Sequence, residues 1–187
     1  MSLRTKFGRR TAVFALLGVA LIAPASAQVL NSAASTITLQ AVLTDYLAVN
    51  LSANSVNFNL TAGSANNAGS TGITATTTWT LKPSVGSVSV YAFFASSAAA
   101  LTDGAGDNIP SANFQISDNA GPFTALITTV PFGGANAGLM LSNWKILGNN
   151  RTGSHNDNLN FNINLSTLPN LPAATYTGTL TIQAQAI

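Results

Sequence analysis

The chain has no cysteine, no glutamate and one histidine, and only 6% of its residues are charged. Without cysteine there are no disulfides and no thiolate metal centres, so the fold must hold by core burial and strand pairing. The ionisable inventory is thin: five aspartates and His155. His155 sits among Asn149, Asn150, Arg151, Gly153, Asn156, Asp157 and Asn158, a loop composition with no nucleophile-elbow pattern, and reads as a solvated loop histidine. The scattered aspartates suggest no acid/base carboxylate pair of the kind a glycosidase needs. The sequence therefore points away from catalysis, and no cofactor is called for.

No apolar run is long enough to cross a bilayer. The longest uncharged one, from Thr11 to Ile22, is about twelve residues, against roughly twenty for a spanning helix. It follows Arg4, Lys6, Arg9 and Arg10 and precedes the small triplet Ala25-Ser26-Ala27. That order predicts a secretory signal peptide over residues 1–27, cleaved before Gln28. A retained anchor and a twin-arginine route through Arg9-Arg10 are the lesser alternatives. Export implies passage through a periplasm to the cell surface or the medium. Past residue 27 only Lys82, Lys145 and Arg151 oppose the five aspartates, a net −2. No basic cluster remains to displace counterions from phosphates, which excludes a nucleic-acid partner.

What the sequence does have is alternation. Ile37, Leu39, Ala41 and Leu43 alternate with Thr36, Thr38, Gln40 and Val42. Leu47, Val49 and Leu51 repeat the pattern, as do Val56, Phe58 and Leu60, then Ile73 to Leu81, Val88 to Phe94, Leu159 to Leu165 and Tyr176 to Ile187. Gly/Asn/Ser loops at 62–72, 103–110 and 133–138 separate them, and Pro169 and Pro172 precede the last run. Seven to ten short strands in one domain, residues 28–187, predict an all-β fold: an immunoglobulin-like antiparallel β-sandwich. A closed barrel fits less well.

Two binding chemistries have residues to support them. Asp103, Asp107 and Asn108 around Gly104 and Gly106 offer the hard oxygens that calcium prefers, although Asp-Gly is equally a turn former and the spacing is not an EF-hand's. Tyr91, Phe93 and Trp144 are candidate stacking residues for a carbohydrate, whereas Trp79 falls on the core parity of its strand.

The two ends of the exported region carry a resemblance. The opening Thr36-Ile37-Thr38-Leu39-Gln40-Ala41-Val42-Leu43, followed by Leu47-Ala48-Val49 and Val56-Asn57-Phe58, resembles the start of spore-coat-protein-U-like subunits of archaic chaperone–usher pili. The close, Leu171-Pro172-Ala173-Ala174-Thr175-Tyr176 to Ile182, is similar to that family's ending. Family members usually have a cysteine where this chain has Leu47-Ala48. The resemblance implies an incomplete immunoglobulin-like fold completed by a strand from a neighbour, with a periplasmic chaperone and an usher as partners. Residues 28–44 would be the donor extension, Ile37, Leu39, Ala41 and Leu43 its contacts, and Asp45-Tyr46 the break before the body. From the residues alone, the favoured reading is that Thr36 to Leu43 is an ordinary first strand folded within its own chain, with donation to a neighbour as the alternative. The expected function is a non-enzymatic secreted structural subunit of a surface appendage or extracellular coat. The alternative is a monomeric secreted module that binds carbohydrate or another surface ligand.

Overall fold

A computed structural model describes residues 32–187. The signal peptide and the expected new terminus at Gln28 lie outside the described residues. The chain divides between Ala41 and Val42 into two units. In the first, the described residues 32–41 form no strand, and Ile37 and Leu39 are 85% and 88% exposed. Thr36 to Leu43, expected as a strand, is thus outside every sheet.

The second unit, Val42–Ile187, is all-β, and its strand pairs are antiparallel. Its strands are β1 (Tyr46–Leu51), β2 (Asn67–Ala68), β3 (Ile73–Thr80), β4 (Ser87–Phe93), β5 (Leu101–Thr102), β6 (Asn108–Ile109), β7 (Phe114–Asp118), β8 (Thr124–Ala125), β9 (Gly138–Lys145), β10 (Thr152–Ile163) and β11 (Thr181–Ala186). One sheet has the order β1-β3-β10-β7-β8, with β2 added to β10; a second has the order β11-β4-β9; β5 and β6 pair by themselves. No helix among the described residues is long and apolar enough to cross a membrane.

Alternation explains the layering. In β3, Ile73, Ala75, Thr77 and Trp79 are buried, and Thr74, Thr76, Thr78 and Thr80 face outward. β10 pairs with it in register, burying Asp157, Leu159, Phe161 and Ile163 and turning Asn156, Asn158 and Asn160 to solvent. Outward hydroxyls and amides bond across the strands: Thr76 Oγ1 donates to Asn156 Oδ1 at 2.8 Å and Thr74 Oγ1 to Asn158 Oδ1 at 3.0 Å. Inward residues of both sheets meet in one apolar cluster, where Ile73, Ile116, Phe161 and Ile163 lie against Ala92 and Phe94. Such face-to-face burial is consistent with a β-sandwich. A smaller cluster of Trp79, Leu81, Val88 and Ile146 fills the other end, with Trp79 and Trp144 stacked at 5.7 Å and 16°.

Between the clusters lies a polar belt, and it corrects the reading of His155. That residue belongs to β10, opposite Thr77, and its side chain is 39% exposed. His155, Asp157 and Leu159 share the inward parity of the strand, so the alternation extends through the Asn-rich stretch that reads as a loop. The imidazole packs on Trp144, 4.4 Å between ring centroids.

Candidate functional site

The site grows out of what the ends of the sheets leave unpaired. β1 pairs only with β3, and β11 only with β4. Ser52 donates a last backbone bond to the Thr74 carbonyl of β3 at 2.9 Å, and from there to Leu60 the chain's one bridge joins Phe58 to Gly69. Residues 171–180 lead into β11 with one bridge, Thr177 to Thr102. Pro172 accounts for part of this. Pro172 has no N–H to offer a ladder, and an added Cβ at Gly178 would run into the Ala100 carbonyl oxygen.

Between these two segments runs a groove of about 890 Å³. Its floor is the main core: Ile73, Phe94, Phe114, Phe161, Ile163 and Leu165. Phe114 is the hub, edge-on to Phe94 at 5.1 Å and to Phe58 at 5.9 Å, and tilted on Phe161 at 6.0 Å. Val56, Phe58 and Leu60 form one wall and Leu171, Tyr176, Leu180 and Ile182 the other, all only partly buried. No charged side chain lines it. The Tyr176 hydroxyl donates to the Pro172 carbonyl at 3.0 Å. Loss of hydration, then the nearby Asp107 and Asp103 carboxylates, raise its pKa. A trough with an apolar floor, walls that mix Asn and Thr with apolar side chains, and unpaired backbone along its sides is chemically suited to an extended peptide with alternating apolar side chains.

The expected site residues fall in different places. Ile37, Leu39 and Ala41 lie in the first unit, and Leu43 is 85% exposed in the second. Tyr91 and Phe93 project from the outer face of β4, where Phe132 covers them at 6.0 and 5.8 Å. Trp144 is opposite Val88 on the inner face, against Trp79 and His155. The three aromatics therefore share no surface. In the Asp103 loop, one carboxylate oxygen accepts the N–H groups of Ala105 at 2.8 Å, Gly106 at 3.1 Å and Asp107 at 3.0 Å. These bonds, Ala105 foremost, hold the Asp103 pKa below its ordinary 3.8. Among the described residues no three His, Cys, Asp or Glu side chains gather as metal ligands.

Sequence reasoning missed the polar belt. Asp157 is fully buried: its Oδ2 accepts from Ser142 Oγ at 3.0 Å, and its Oδ1 is 3.4 Å from His155 Nε2. Asp118 faces the same space from β7, with Oδ1 buried and unpartnered. Burial, then the Asp157 charge, push the Asp118 pKa above 3.8, against a smaller opposing effect of His155. Serine, histidine and aspartate meet here, but the serine bonds the carboxylate rather than the imidazole. That geometry gives no serine-to-imidazole transfer. The parity of His155, Asp157 and Leu159 is the signal that could have found it.

No protein-family model, curated protein or solved structure matches the chain.

Proposed function

We propose that this protein is a secreted, non-enzymatic structural subunit of a surface appendage or extracellular coat, and that its groove receives an extended segment of a second copy. The observation that carries the reading is a pairing of opposites. An uncharged groove with an apolar floor and unpaired strand edges stands open, and an alternating segment with one apolar face, Thr36 to Leu43, belongs to no sheet. Each would satisfy the other. The segment offers three large aliphatic side chains and Ala41, worth about 5–8 kcal/mol gross on burial, before ordering costs. Its backbone would pair with the free edge beside β11, as in strand addition to an exposed sheet edge.

In this reading the immunoglobulin-like sandwich is complete only in the assembly. The resemblance to chaperone–usher subunits points the same way and adds a periplasmic chaperone and an usher as partners. A strand supplied from outside would also explain how a fold without cysteine leaves its core open along one side.

Deletion of residues 28–43 tests this directly. The shortened protein should stay folded but fail to form the multimers of the full exported chain, and a peptide spanning Ser35 to Thr44 should raise its melting temperature. A full exported chain that sediments as a monomer at all concentrations would refute the reading.

A further inference from the structure

Asp157 is a buried carboxylate without a full counter-charge. Among the described residues the one basic side chain within ion-pair distance of it is His155, which offers a charge only when protonated. Lys82 pairs with Asp45, Arg151 Nη1 donates to the Lys82 carbonyl, and Lys145 is exposed. One Asp157 oxygen is used, since Oδ2 accepts from Ser142 Oγ at 3.0 Å. The other, Oδ1, is buried without a hydrogen-bond partner, and His155 Nε2 stands 3.4 Å from it. That is long for a hydrogen bond, which prefers about 2.7–3.2 Å. It is, however, the spacing of two ligands on one ion. Imidazole nitrogen and carboxylate oxygen bind zinc at about 2.0–2.2 Å, and a tetrahedral angle between such bonds sets the donor atoms about 3.3–3.5 Å apart.

The strand itself produces this pair. His155 and Asp157 lie on the same inward parity of β10, so both side chains leave one face of it. Each is then oriented from β9 in the facing sheet: Ser142 holds the carboxylate, and the Trp144 ring carries the imidazole at 4.4 Å. Thr77, opposite His155 on β3, is fully buried and its hydroxyl is also unpartnered. Asp118 adds negative charge from β7, its own pKa being raised by burial and then by Asp157. It is not a third ligand, because no three His, Cys, Asp or Glu side chains gather among the described residues. The His155 side chain is 39% exposed, which opens this pair to solvent on one side.

We propose that His155 Nε2 and Asp157 Oδ1 bind a divalent transition-metal ion of the zinc kind, with water filling its remaining positions and Thr77 Oγ1 as a partner for that water. The ion supplies the counter-charge that Asp157 lacks. An imidazole nitrogen beside a carboxylate oxygen selects such an ion over calcium, which takes oxygen ligands. In a chain without cysteine it also fastens β10 to Ser142 and Trp144 across the two sheets. The site is independent of what fills the groove.

The test uses the full chain starting at Gln28, without an added histidine tag and stripped of metal by a chelator. His155 is the single histidine, so its imidazole NMR signals report the site unambiguously. Zinc chloride should shift them to saturation at one ion per chain and raise the melting temperature by several degrees, whereas calcium chloride should do neither. His155→Gln and Asp157→Asn should each weaken zinc binding in calorimetry by at least about tenfold. Ser142→Ala, which frees the carboxylate without removing a ligand, should weaken it by about tenfold while the imidazole shift persists at saturation. Imidazole signals unmoved by excess zinc would overturn the proposal. So would zinc binding of wild-type strength in His155→Gln, since the ion would then sit on exposed aspartates, or in Asp157→Asn, since the imidazole would then bind it alone. Should Asp157→Asn fail to fold, His155→Gln, at a partly exposed position, and Ser142→Ala decide the matter.

Discussion

On the proposed reading, Leu39→Asp should separate assembly from folding, because the side chain it replaces is 88% exposed and outside every sheet. In the isolated chain the change removes almost no buried surface, so stability should move by no more than about 0.5 kcal/mol. In an assembled pair the same side chain would lie in a groove floored by Phe114 and Phe161. Losing a buried leucine there forfeits about 2–3 kcal/mol. The groove has no charged lining residue to pair with a carboxylate, so desolvation adds several kcal/mol more. A combined loss near 5 kcal/mol is more than a thousandfold in association. The assay is sedimentation across a concentration series, with thermal melts of the variant held monomeric by dilution. Wild-type multimers, a variant confined to monomer and a monomer melting curve unchanged from that of the 28–43 deletion would support the reasoning. A variant that assembles normally would refute it, as would one whose own domain unfolds, because Leu39 would then be a core residue of its own chain.

Three further outcomes are expected. Phe161→Ala should lower the stability of the domain by about 3–5 kcal/mol in denaturant melts, since Phe161 is 4% exposed and packs on the hub ring Phe114. Gly178→Ala should cost about 1–3 kcal/mol and weaken hydrogen-exchange protection at Thr102 and Thr177, because the new methyl forces residues 177–178 away from Ala100. For pH, the raised pKa of Asp118 fixes the sign: its contribution is complete below its ordinary 3.8 and is lost as pH rises through the raised value. The wild type should therefore lose melting temperature over that window relative to Asp118→Asn, and equal slopes for the two proteins would contradict the assignment.

Much of the sheet core was legible because it follows a period of two with bulky apolar residues. β1, β3, β4 and the second half of β10 fall where Leu47, Ile73, Val88 and Leu159 begin their alternations. The first half of β10 was not, because its inward positions are Gly153, His155 and Asp157, and a polar inward face looks like a loop when only hydrophobicity is counted. The reverse error occurs at the two ends. Val56 to Leu60 and Tyr176 to Leu180 alternate like strands and are almost unpaired. Alternation records which side chains suit a half-buried strand; it does not say that a partner strand is present in the same chain. The groove is thus invisible in the sequence as a groove, although the residues of both walls carry its pattern.

A fold with an open side must still keep its remaining layers together, and the second apolar cluster shows how this one does so. Trp79 donates its indole N–H to the Asn150 carbonyl at 2.9 Å and stacks on Trp144 of the facing sheet, and Gly153 leaves room for the ring, since a Cβ there would sit 3.1 Å from it. Asn150 also accepts the Leu147 N–H and donates to the Lys145 carbonyl at 2.9 Å, closing the turn between β9 and β10. Both sheets are therefore tied at the end where the chain enters, away from the groove. The polar belt of Thr77, Asp118, His155 and Asp157 then separates that tied end from the aromatic floor around Phe114. Strain from filling the groove would fall on the weakly paired segments 52–60 and 171–180, not on the Trp79–Trp144 stack. Assembly should accordingly protect the amides flanking the groove from exchange and leave those around Trp79 unchanged, and a uniform rise in protection across both clusters would show instead that the two ends fold as one cooperative unit.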